Sequence, residues 1–316
     1  MRIIIKDVVT FGEIMGMFIA NEEGDLIKVN KFSRNIAGAE ANVATGLARL
    51  GFKVGMMSKV GNDVFGKYII QCLKKENIDV SNIKMIESNS TGILLKSKTL
   101  QEDPDVQYYR KFSAASTISI EDYDEDYFLN SKHMHVTGIS AALSKSTLEF
   151  ASYVMDSMRK LGKSISFDPN LRLSLWKSKK EMIEVINKIA FKADVVLPGI
   201  SEGRLLTGYE KVCDIADYYI DKGVKLVVIK TGKEGAYYKT NKDDGFVAGF
   251  KVEKVVDTVG AGDGFAVGII SALLEKLTIK EALRRGNAIG SLAVMSSGDR
   301  DGLPTREQLN EYLNRK

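Results

Sequence analysis

The feature of this sequence that most constrains its fold is an alternation of short apolar, β-branched segments with stretches of helical periodicity. Between the strand-like segments, apolar residues recur at helical spacing, as in Val43, Leu47 and Leu50. Strands that alternate with helices predict an α/β fold with a parallel sheet covered on both faces. The strand-like segments are VVTFG from Val8, KVGMMSKVG from Lys53, HMHVTG from His133, SISFD from Ser164, ADVVLPG from Ala193 and LVVIKTG from Leu226.

Two stretches interrupt this alternation, at about residues 17–35 and 91–112. Each contains β-hairpin-like sequence around turn residues, at 23–25 in the first and 102–105 in the second. These strands belong to no strand–helix–strand unit, so we expect them to form a small second sheet. Open α/β sheets bind ligands beyond the carboxyl ends of their strands, and the second sheet would cover that end as a lid.

Composition excludes several classes of protein. The 316 residues contain four prolines and no linker-like tract, which favours a single domain over residues 1–316. The 45 basic and 41 acidic residues are evenly spread, so we expect no nucleic-acid partner. No apolar run approaches the ~20 residues of a membrane span, and the N-terminus lacks signal-peptide features, so we expect no membrane partner and a cytoplasmic location. The two cysteines, Cys72 and Cys213, indicate neither a disulfide framework nor a zinc site.

The strongest chemical signal is DTVGAGDGF, residues 257–265, followed by an apolar helical stretch. Gly260, Ala261 and Gly262 allow a tight turn at a helix start, where free N–H groups and the helix dipole attract phosphate. Asp263 beside them has two interpretations. It is either a first-turn residue favoured by the dipole, or a base that accepts a hydroxyl proton while the N–H groups hold a phosphoryl group.

DTVGAGD resembles the C-terminal signature of the ribokinase-like (PfkB) family of carbohydrate kinases. The N-terminal signature is matched by AGAEANVATGLARLG, residues 37–51, and VGNDVFG, residues 60–66. The similarity extends through nearly the whole chain. It implies a three-layer sandwich with a mainly parallel central sheet and a small β-sheet lid. It also implies ATP as phosphoryl donor, Asp263 as catalytic base, and an anion hole formed by the backbone of Gly260, Ala261 and Gly262.

The resemblance also implies a nucleotide site. KTGKEG, from Lys230 to Gly235, is similar to the strand-end turn that follows the nucleotide phosphates, and Asn287 lies where the family lines the adenine pocket. The nucleotide-binding residues implied in this way are Lys230, Gly232, Gly235, Gly262 and Asn287.

The residues expected to organise Mg²⁺ depart from the family pattern at one position. Family members commonly carry an Asn and a Glu, spaced NxxE, that organise Mg²⁺ and phosphate. This chain keeps Glu202 but has Gly199 in place of the Asn. Mg²⁺ is still expected, because the triphosphate charge must be neutralised, with Glu202 acting indirectly. The need for a monovalent cation stays open.

Within the family, three segments resemble kinases of 2-keto-3-deoxygluconate: YYRKFSAAS from Tyr108, DPNLRLSLW from Asp168 and SGDRDGLP from Ser297. Arg110 and Arg172 offer two guanidinium groups, which suit the carboxylate of a sugar acid. Leu94 departs from the resemblance, because related enzymes often have a tyrosine there. By resemblance, the substrate-binding residues are Gly38, Asn42, Tyr108, Arg110, Arg172 and Asp299.

Other functions stay open at this point. A fructokinase or a nucleoside kinase would share the fold and both signatures, and a sugar-binding regulator would need no catalytic base. GNDVFGKY, residues 61–68, fits the spacing of a phosphate-binding P-loop but places Tyr68 where a Ser or Thr must bind Mg²⁺. An NAD-linked dehydrogenase lacks its glycine fingerprint after the first strand. The exposed edge of the lid sheet could pair two copies of the chain in a homo-oligomer.

Overall fold

The computed structural model describes residues 5–98 and 104–315, and the strands form two sheets. Within the described residues the strands are β1 (Lys6–Phe11), β2 (Met15–Glu23), β3 (Phe32–Ala37), β4 (Val54–Gly61), β5 (Ile83–Ile86), β6 (Ile93–Lys98), β7 (Val106–Tyr109), β8 (Ser131–Thr137), β9 (Ser164–Asp168), β10 (Val195–Val196), β11 (Leu226–Lys230), β12 (Gly235–Thr240) and β13 (Asp244–Ala248).

The large sheet has nine strands in the order β13-β12-β11-β10-β9-β8-β1-β4-β5. From β11 to β5 every neighbouring pair is parallel, and β12 and β13 extend the sheet as antiparallel strands. The predicted mainly parallel α/β sheet is therefore confirmed.

Helices cover both faces of this sheet because successive strand residues point to opposite faces. Val8 packs in a core with helices on one side, while Val9 packs in a second core on the other side. Both valines are fully buried, so the structure has the three layers expected from the sequence. The α-helices of the described residues are α1 (Ala39–Arg49), α2 (Val64–Lys75), α3 (Glu125–Leu129), α4 (Gly138–Ala142), α5 (Lys145–Lys160), α6 (Lys179–Ala190), α7 (Ile200–Thr207), α8 (Val212–Ile220), α9 (Ala261–Leu274), α10 (Ile279–Ala293) and α11 (Arg306–Asn314).

The four remaining strands form the predicted second sheet, in the order β3-β2-β6-β7. Its two hairpins, β2–β3 and β6–β7, are antiparallel, and β2 pairs with β6 in parallel. The small second sheet is therefore confirmed, although the predicted turn at Glu102 and Asp103 lies outside the described residues. Met15, Met17, Ala37 and Leu94 form a small apolar cluster of the lid.

The parallel strands bring several polar residues to one edge of the large sheet. β9 ends at Asp168 and β11 ends at Lys230, while Glu13 follows the end of β1. Carboxyl ends of parallel strands lie at the same edge, which is where such sheets bind ligands. Over the described ranges, no helix is both long and apolar enough to cross a membrane.

Candidate active site

Two clefts meet at the carboxyl edge of the large sheet. The first, which we call the lid cleft, has a volume of about 480 Å³ and lies between the lid sheet and this edge. The second, which we call the outer cleft, has a volume of about 840 Å³ and is lined by residues near β11, β12 and α10. Both clefts are lined by Glu202, Lys230, Thr258 and Gly262. This shared boundary is where groups bound in the two clefts would meet.

The predicted site residues divide between the clefts. The predicted substrate residues all line the lid cleft, together with Gly260 and Asp263: they are Gly38, Asn42, Tyr108, Arg110, Arg172 and Asp299. The predicted nucleotide residues all line the outer cleft, together with Ala261: they are Lys230, Gly232, Gly235, Gly262 and Asn287. Residues distant in sequence thus line two adjoining clefts.

The glycine turn lies at the start of α9, as the sequence predicts. Gly260 is the N-cap residue with φ of 83°, a left-handed conformation that favours glycine. A Cβ at this position would also collide with the carbonyl oxygen of Asp299. The first bond of the helical ladder runs from the Gly264 N–H to the Gly260 carbonyl, at 2.8 Å, so the preceding N–H groups belong to the helix start. These groups and the helix dipole form an anion-binding position at the boundary of the clefts.

Asp263 lies in the first turn of α9 and is 8% exposed. Its Oδ2 accepts a hydrogen bond of 2.8 Å from Nδ2 of Asn42 in α1. Burial, reinforced by the nearby charges of Asp168 and Asp299, raises the pKa of Asp263 to about 7 against the opposing Asn42 bond. A carboxyl group with this pKa can hold or release a proton near neutral pH, as a general base must. The Asn42 Oδ1 is buried and has no hydrogen-bond partner among the described residues, so it can accept a hydrogen bond from a ligand.

Arg110 has a partner that the sequence did not indicate. Its guanidinium forms an ion pair with the carboxylate of Glu13, a residue 2% exposed just beyond β1. Glu13 also accepts a hydrogen bond from the Ser113 hydroxyl. Arg110 lines the lid cleft as predicted, but its charge is already matched by a carboxylate. The position of Glu13 after the first strand was the available sequence signal.

Arg172, unlike Arg110, forms no ion pair with a described carboxylate. It is exposed in the segment after β9 and lines the lid cleft. Its one hydrogen bond within the described ranges is donated to the Leu171 carbonyl at 3.1 Å, and no described carboxylate forms an ion pair with it. Its guanidinium therefore keeps donors for a ligand.

Lys230 and Asp168 form an ion pair across the ends of β11 and β9, at 2.6 Å. Burial alone would lower the pKa of Lys230, but Asp168 and Glu202 raise it above its ordinary value, so the lysine carries its charge. Lys230 lines both clefts, which suits contact with a phosphate. Asp168 begins the DPNLRLSLW segment but was not predicted as a site residue. Its position at the end of β9 is the signal that could have identified it.

Asn287 lines the outer cleft, but its side-chain amide donates hydrogen bonds to the protein backbone. Its Nδ2 donates to the carbonyls of Val247 and Ala248, each at 3.1 Å, and so holds α10 against β13. Gly232, in the turn between β11 and β12, and Gly235, the first residue of β12, both have positive φ, of 67° and 124°. This turn forms one wall of the outer cleft.

Glu202 is fixed by backbone groups. Its Oε2 accepts from the Gly199 N–H at 2.8 Å, and its Oε1 accepts from the Leu171 N–H at 2.7 Å. The backbone of Gly199 thus takes part in the capping of α7, although the asparagine of the family pattern is absent. Across residues 5–98 and 104–315, no group of three or more His, Cys, Asp or Glu side chains could hold a metal ion.

The lid contributes Tyr108, which is 42% exposed and lines the lid cleft. Leu94 lies opposite Tyr108 in the β6–β7 pairing and opposite Met17 in the β2–β6 pairing. Leu94 is 4% exposed and belongs to the apolar cluster of the lid. It also lines the lid cleft, where its side chain is hydrophobic.

The lid also contributes Lys96, which sequence reasoning missed. Its Nζ lies 2.8 Å from Asp299 Oδ1 and 2.6 Å from Asp257 Oδ2. The predicted substrate residue Asp299 is therefore already paired with a buried cation. No local sequence pattern indicates this contact, because the two carboxylates lie far from Lys96 along the chain.

Comparison with known proteins agrees with this geometry. Residues 5–306 match the model of the pfkB family carbohydrate kinases. A 2-dehydro-3-deoxygluconokinase from Bacillus subtilis (strain 168) is 57% identical over 308 residues, which cover 97% of this chain and 95% of the relative.

Solved structures share the fold over almost the full length. A PfkB protein from Polaromonas sp. JS666 is 46% identical, with a TM-score of 0.90, covering 96% of this chain and 99% of that one. A ribokinase-II-type protein from E. coli in complex with ATP and Mg²⁺ is 27% identical, with a TM-score of 0.89, covering 98% and 100%. The sequence signatures, the two-sheet architecture and these matches lead to one conclusion: the chain belongs to the pfkB family of carbohydrate kinases.

Proposed function

We propose that this carbohydrate kinase transfers the γ-phosphoryl group of ATP to the C6 hydroxyl of 2-keto-3-deoxygluconate. The product is 2-keto-3-deoxy-6-phosphogluconate. The sugar acid would bind in the lid cleft and the nucleotide in the outer cleft, within one kinase domain. The B. subtilis relative bears the name of a kinase of this same sugar acid, also called 2-dehydro-3-deoxygluconate.

The observation that carries the proposal is the charge pattern of the lid cleft. Among the described residues that line it, the cations are Lys96, Arg110, Arg172 and Lys230. Lys96, Arg110 and Lys230 form ion pairs with protein carboxylates. Arg172 forms none with a described residue, so it is the cation that can pair with a ligand carboxylate. A neutral hexose would leave this guanidinium without an ion-pair partner, because no described carboxylate supplies one.

The proposed chemistry is a direct in-line transfer. The Asp263 carboxylate accepts the proton of the C6 hydroxyl as the C6 oxygen forms its bond to the γ-phosphorus. The bond between that phosphorus and the β,γ-bridging oxygen breaks, and ADP leaves with the electron pair. Asn42 holds the carboxylate in place through its 2.8 Å hydrogen bond. The N–H groups at the start of α9 and the Lys230 ammonium stabilise the negative charge of the phosphoryl group.

Mg²⁺ fits this site as an ion carried by the nucleotide. When bound, it would neutralise charge on the triphosphate. Of the carboxylates described, Glu202 lines both clefts, and its oxygens are held by backbone N–H groups. We propose that Glu202 supports the ion through water rather than by direct coordination.

A fructokinase is the second candidate. It is favoured by Leu94, because the apolar lid surface offers no hydroxyl to the sugar where related enzymes often have tyrosine. A nucleoside kinase or a non-catalytic sugar-binding protein explains less. A nucleoside would supply no carboxylate to Arg172, which has none among the described residues. A sugar-binding protein has no need of a buried carboxyl group beside an anion-binding turn.

A substrate panel tests the proposal. ADP release would be measured with 2-keto-3-deoxygluconate, fructose, ribose and adenosine as acceptors at a fixed ATP and Mg²⁺ concentration. We expect the sugar acid to give the highest kcat/KM, and mass spectrometry to show one added phosphate. A clear preference for fructose, ribose or adenosine would contradict the assignment, and absence of ADP release with all four would favour a binding protein.

A further inference from the structure

Lys96 lies where the lid sheet meets the glycine turn of the active site. It belongs to β6, and its side chain is 3% exposed. Its ammonium contacts Asp257, which precedes the turn, at 2.6 Å, and Asp299, in the loop after α10, at 2.8 Å. Burial would lower the pKa of Lys96, but the two carboxylates raise it, so the ammonium keeps its charge. One lid side chain therefore joins three separate parts of the chain.

Both aspartates contact the glycine turn, Asp257 through its carboxylate and Asp299 through its backbone carbonyl. Asp257 Oδ1 accepts a hydrogen bond of 3.0 Å from the Val259 N–H, which fixes the first half of the turn. The carbonyl of Asp299 lies against Gly260 so closely that no Cβ fits there. Lys96 thus binds the groups on either side of the left-handed residue at the start of α9.

We propose that Lys96 is a positioning residue through which the lid sheet sets the N–H groups of the α9 start for phosphoryl transfer. The inference rests on the proposed function for the identity of the reaction. It gives the lid a role beyond covering the sugar: a displaced lid would withdraw the charge that holds the turn. Lys96 does not line the outer cleft, so nucleotide binding should depend little on it.

Removing the ammonium has a second, electrostatic consequence. The charge of Asp299 already contributes to the raised pKa of Asp263. Without Lys96, the carboxylates of Asp257 and Asp299 lose their counter-charge. Their negative charges then repel the ionised form of Asp263 more strongly. Nearby negative charge disfavours ionisation of a carboxyl group, so the pKa of Asp263 should rise further.

The test compares Lys96→Met with Lys96→Arg and with Lys98→Met. Lys98 is a suitable control because it lies on the same strand but is exposed. Among the described residues, its ammonium donates only to the Asn21 carbonyl, at 3.2 Å. With the best acceptor of the substrate panel, we expect Lys96→Met to lower kcat by about 10- to 100-fold, as expected for lost positioning. The dissociation constant for ATP without sugar should stay within about threefold. Lys96→Arg should restore most of kcat, and Lys98→Met should match the wild type.

Two further measurements separate positioning from a general loss of stability. The midpoint of the rise of kcat/KM with pH should move upward in Lys96→Met by roughly half a unit or more. Amide hydrogen exchange of a peptide covering residues 257–264 should become faster in Lys96→Met but not in Lys98→Met. If Lys96→Met does not fold, Lys96→Gln takes its place in each measurement.

The inference is wrong if folded Lys96→Met keeps the wild-type kcat, pH midpoint and exchange of residues 257–264. It is also wrong if Lys98→Met shows the same changes as Lys96→Met. The exchange measurement needs no sugar, so it decides the role of Lys96 even if the substrate panel contradicts the proposed sugar acid.

Discussion

The side chains of Asn42 and Asp263 meet in a 2.8 Å hydrogen bond although 221 positions separate them in the sequence. Asn42 lies in α1 and Asp263 in α9, so this bond joins the two family signatures inside one site. The bond orients the buried carboxyl group. The pKa of Asp263 is raised to about 7, and burial is the largest cause. The predictions below follow from this arrangement and from the residues around it.

Replacement of the proposed base should abolish most turnover without abolishing binding. Asp263→Asn keeps an oxygen that can accept the Asn42 hydrogen bond but cannot take a proton from the sugar. We expect kcat to fall by about 10²- to 10⁴-fold, the range for a lost general base. ATP affinity, measured by calorimetry, should stay close to that of the wild type. An Asp263→Asn variant with near-normal kcat would contradict the assigned role.

Activity should depend on pH through Asp263. The carboxylate form is the base, so kcat/KM should rise as pH increases through about 7 and level off above it. The measurement is a profile of kcat/KM from pH 5 to 9 in buffers of constant ionic strength. A profile that is flat between pH 6 and 8 would mean that another group limits the reaction.

The contribution of Asp263 to folded stability should fall as pH rises, whereas activity should increase. The folded protein keeps the Asp263 proton up to about pH 7, whereas the ordinary pKa of the group is 3.8. Between these values the unfolded chain releases a proton that the folded chain retains, so this group lowers folded stability as pH rises. Asp263→Asn lacks this effect. The Tm of Asp263→Asn minus the Tm of the wild type should therefore increase from pH 4 to 7. A difference that stays constant over this range would contradict the assigned pKa.

Arg172 should determine affinity for the sugar acid. Loss of a hydrogen bond between charged groups costs about 1.5–3 kcal/mol, so Arg172→Ala should raise KM for 2-keto-3-deoxygluconate by about 10- to 100-fold. KM for ATP should change little. Steady-state kinetics with a neutral ketose such as fructose should show a much smaller effect, because that sugar has no carboxylate. Arg159→Ala, at an exposed arginine at the end of α5, is the matched control. Equal loss of sugar-acid and ATP affinity would instead indicate a folding defect.

The two glycines of the turn should respond differently to alanine. At Gly260, a Cβ would meet both a φ of 83° and the Asp299 carbonyl. We expect Gly260→Ala to lower stability by at least about 1–3 kcal/mol, as judged by chemical denaturation, and to lose activity. At Gly262, the nearest atom to an added Cβ is Lys230 Nζ at 3.6 Å, so Gly262→Ala should fold normally. Its methyl group faces the boundary of the clefts and should reduce kcat; equal stability of the two variants would contradict this account.

Local sequence patterns were sufficient for the scaffold. Alternating strand and helix segments predicted the parallel sheet, and the turn residues predicted the lid hairpins, because both depend on local periodicity and backbone freedom. The glycine turn was predicted for the same reason, since Gly260 must adopt a conformation that favours glycine. The resemblance then indicated the family, and each site residue that it implied lines at least one of the two clefts.

Only the tertiary structure decided which charged groups are already paired. The sequence presented Arg110 and Arg172 as equal candidates for a carboxylate, but folding places Glu13 beside Arg110 and leaves Arg172 with no carboxylate among the described residues. It also brings Lys96 from the lid to Asp257 and Asp299. Ion pairs depend on distances between residues far apart in the chain, and on burial, which weakens screening by water. These distances arise only when the two sheets and their helices pack, so no local pattern records them.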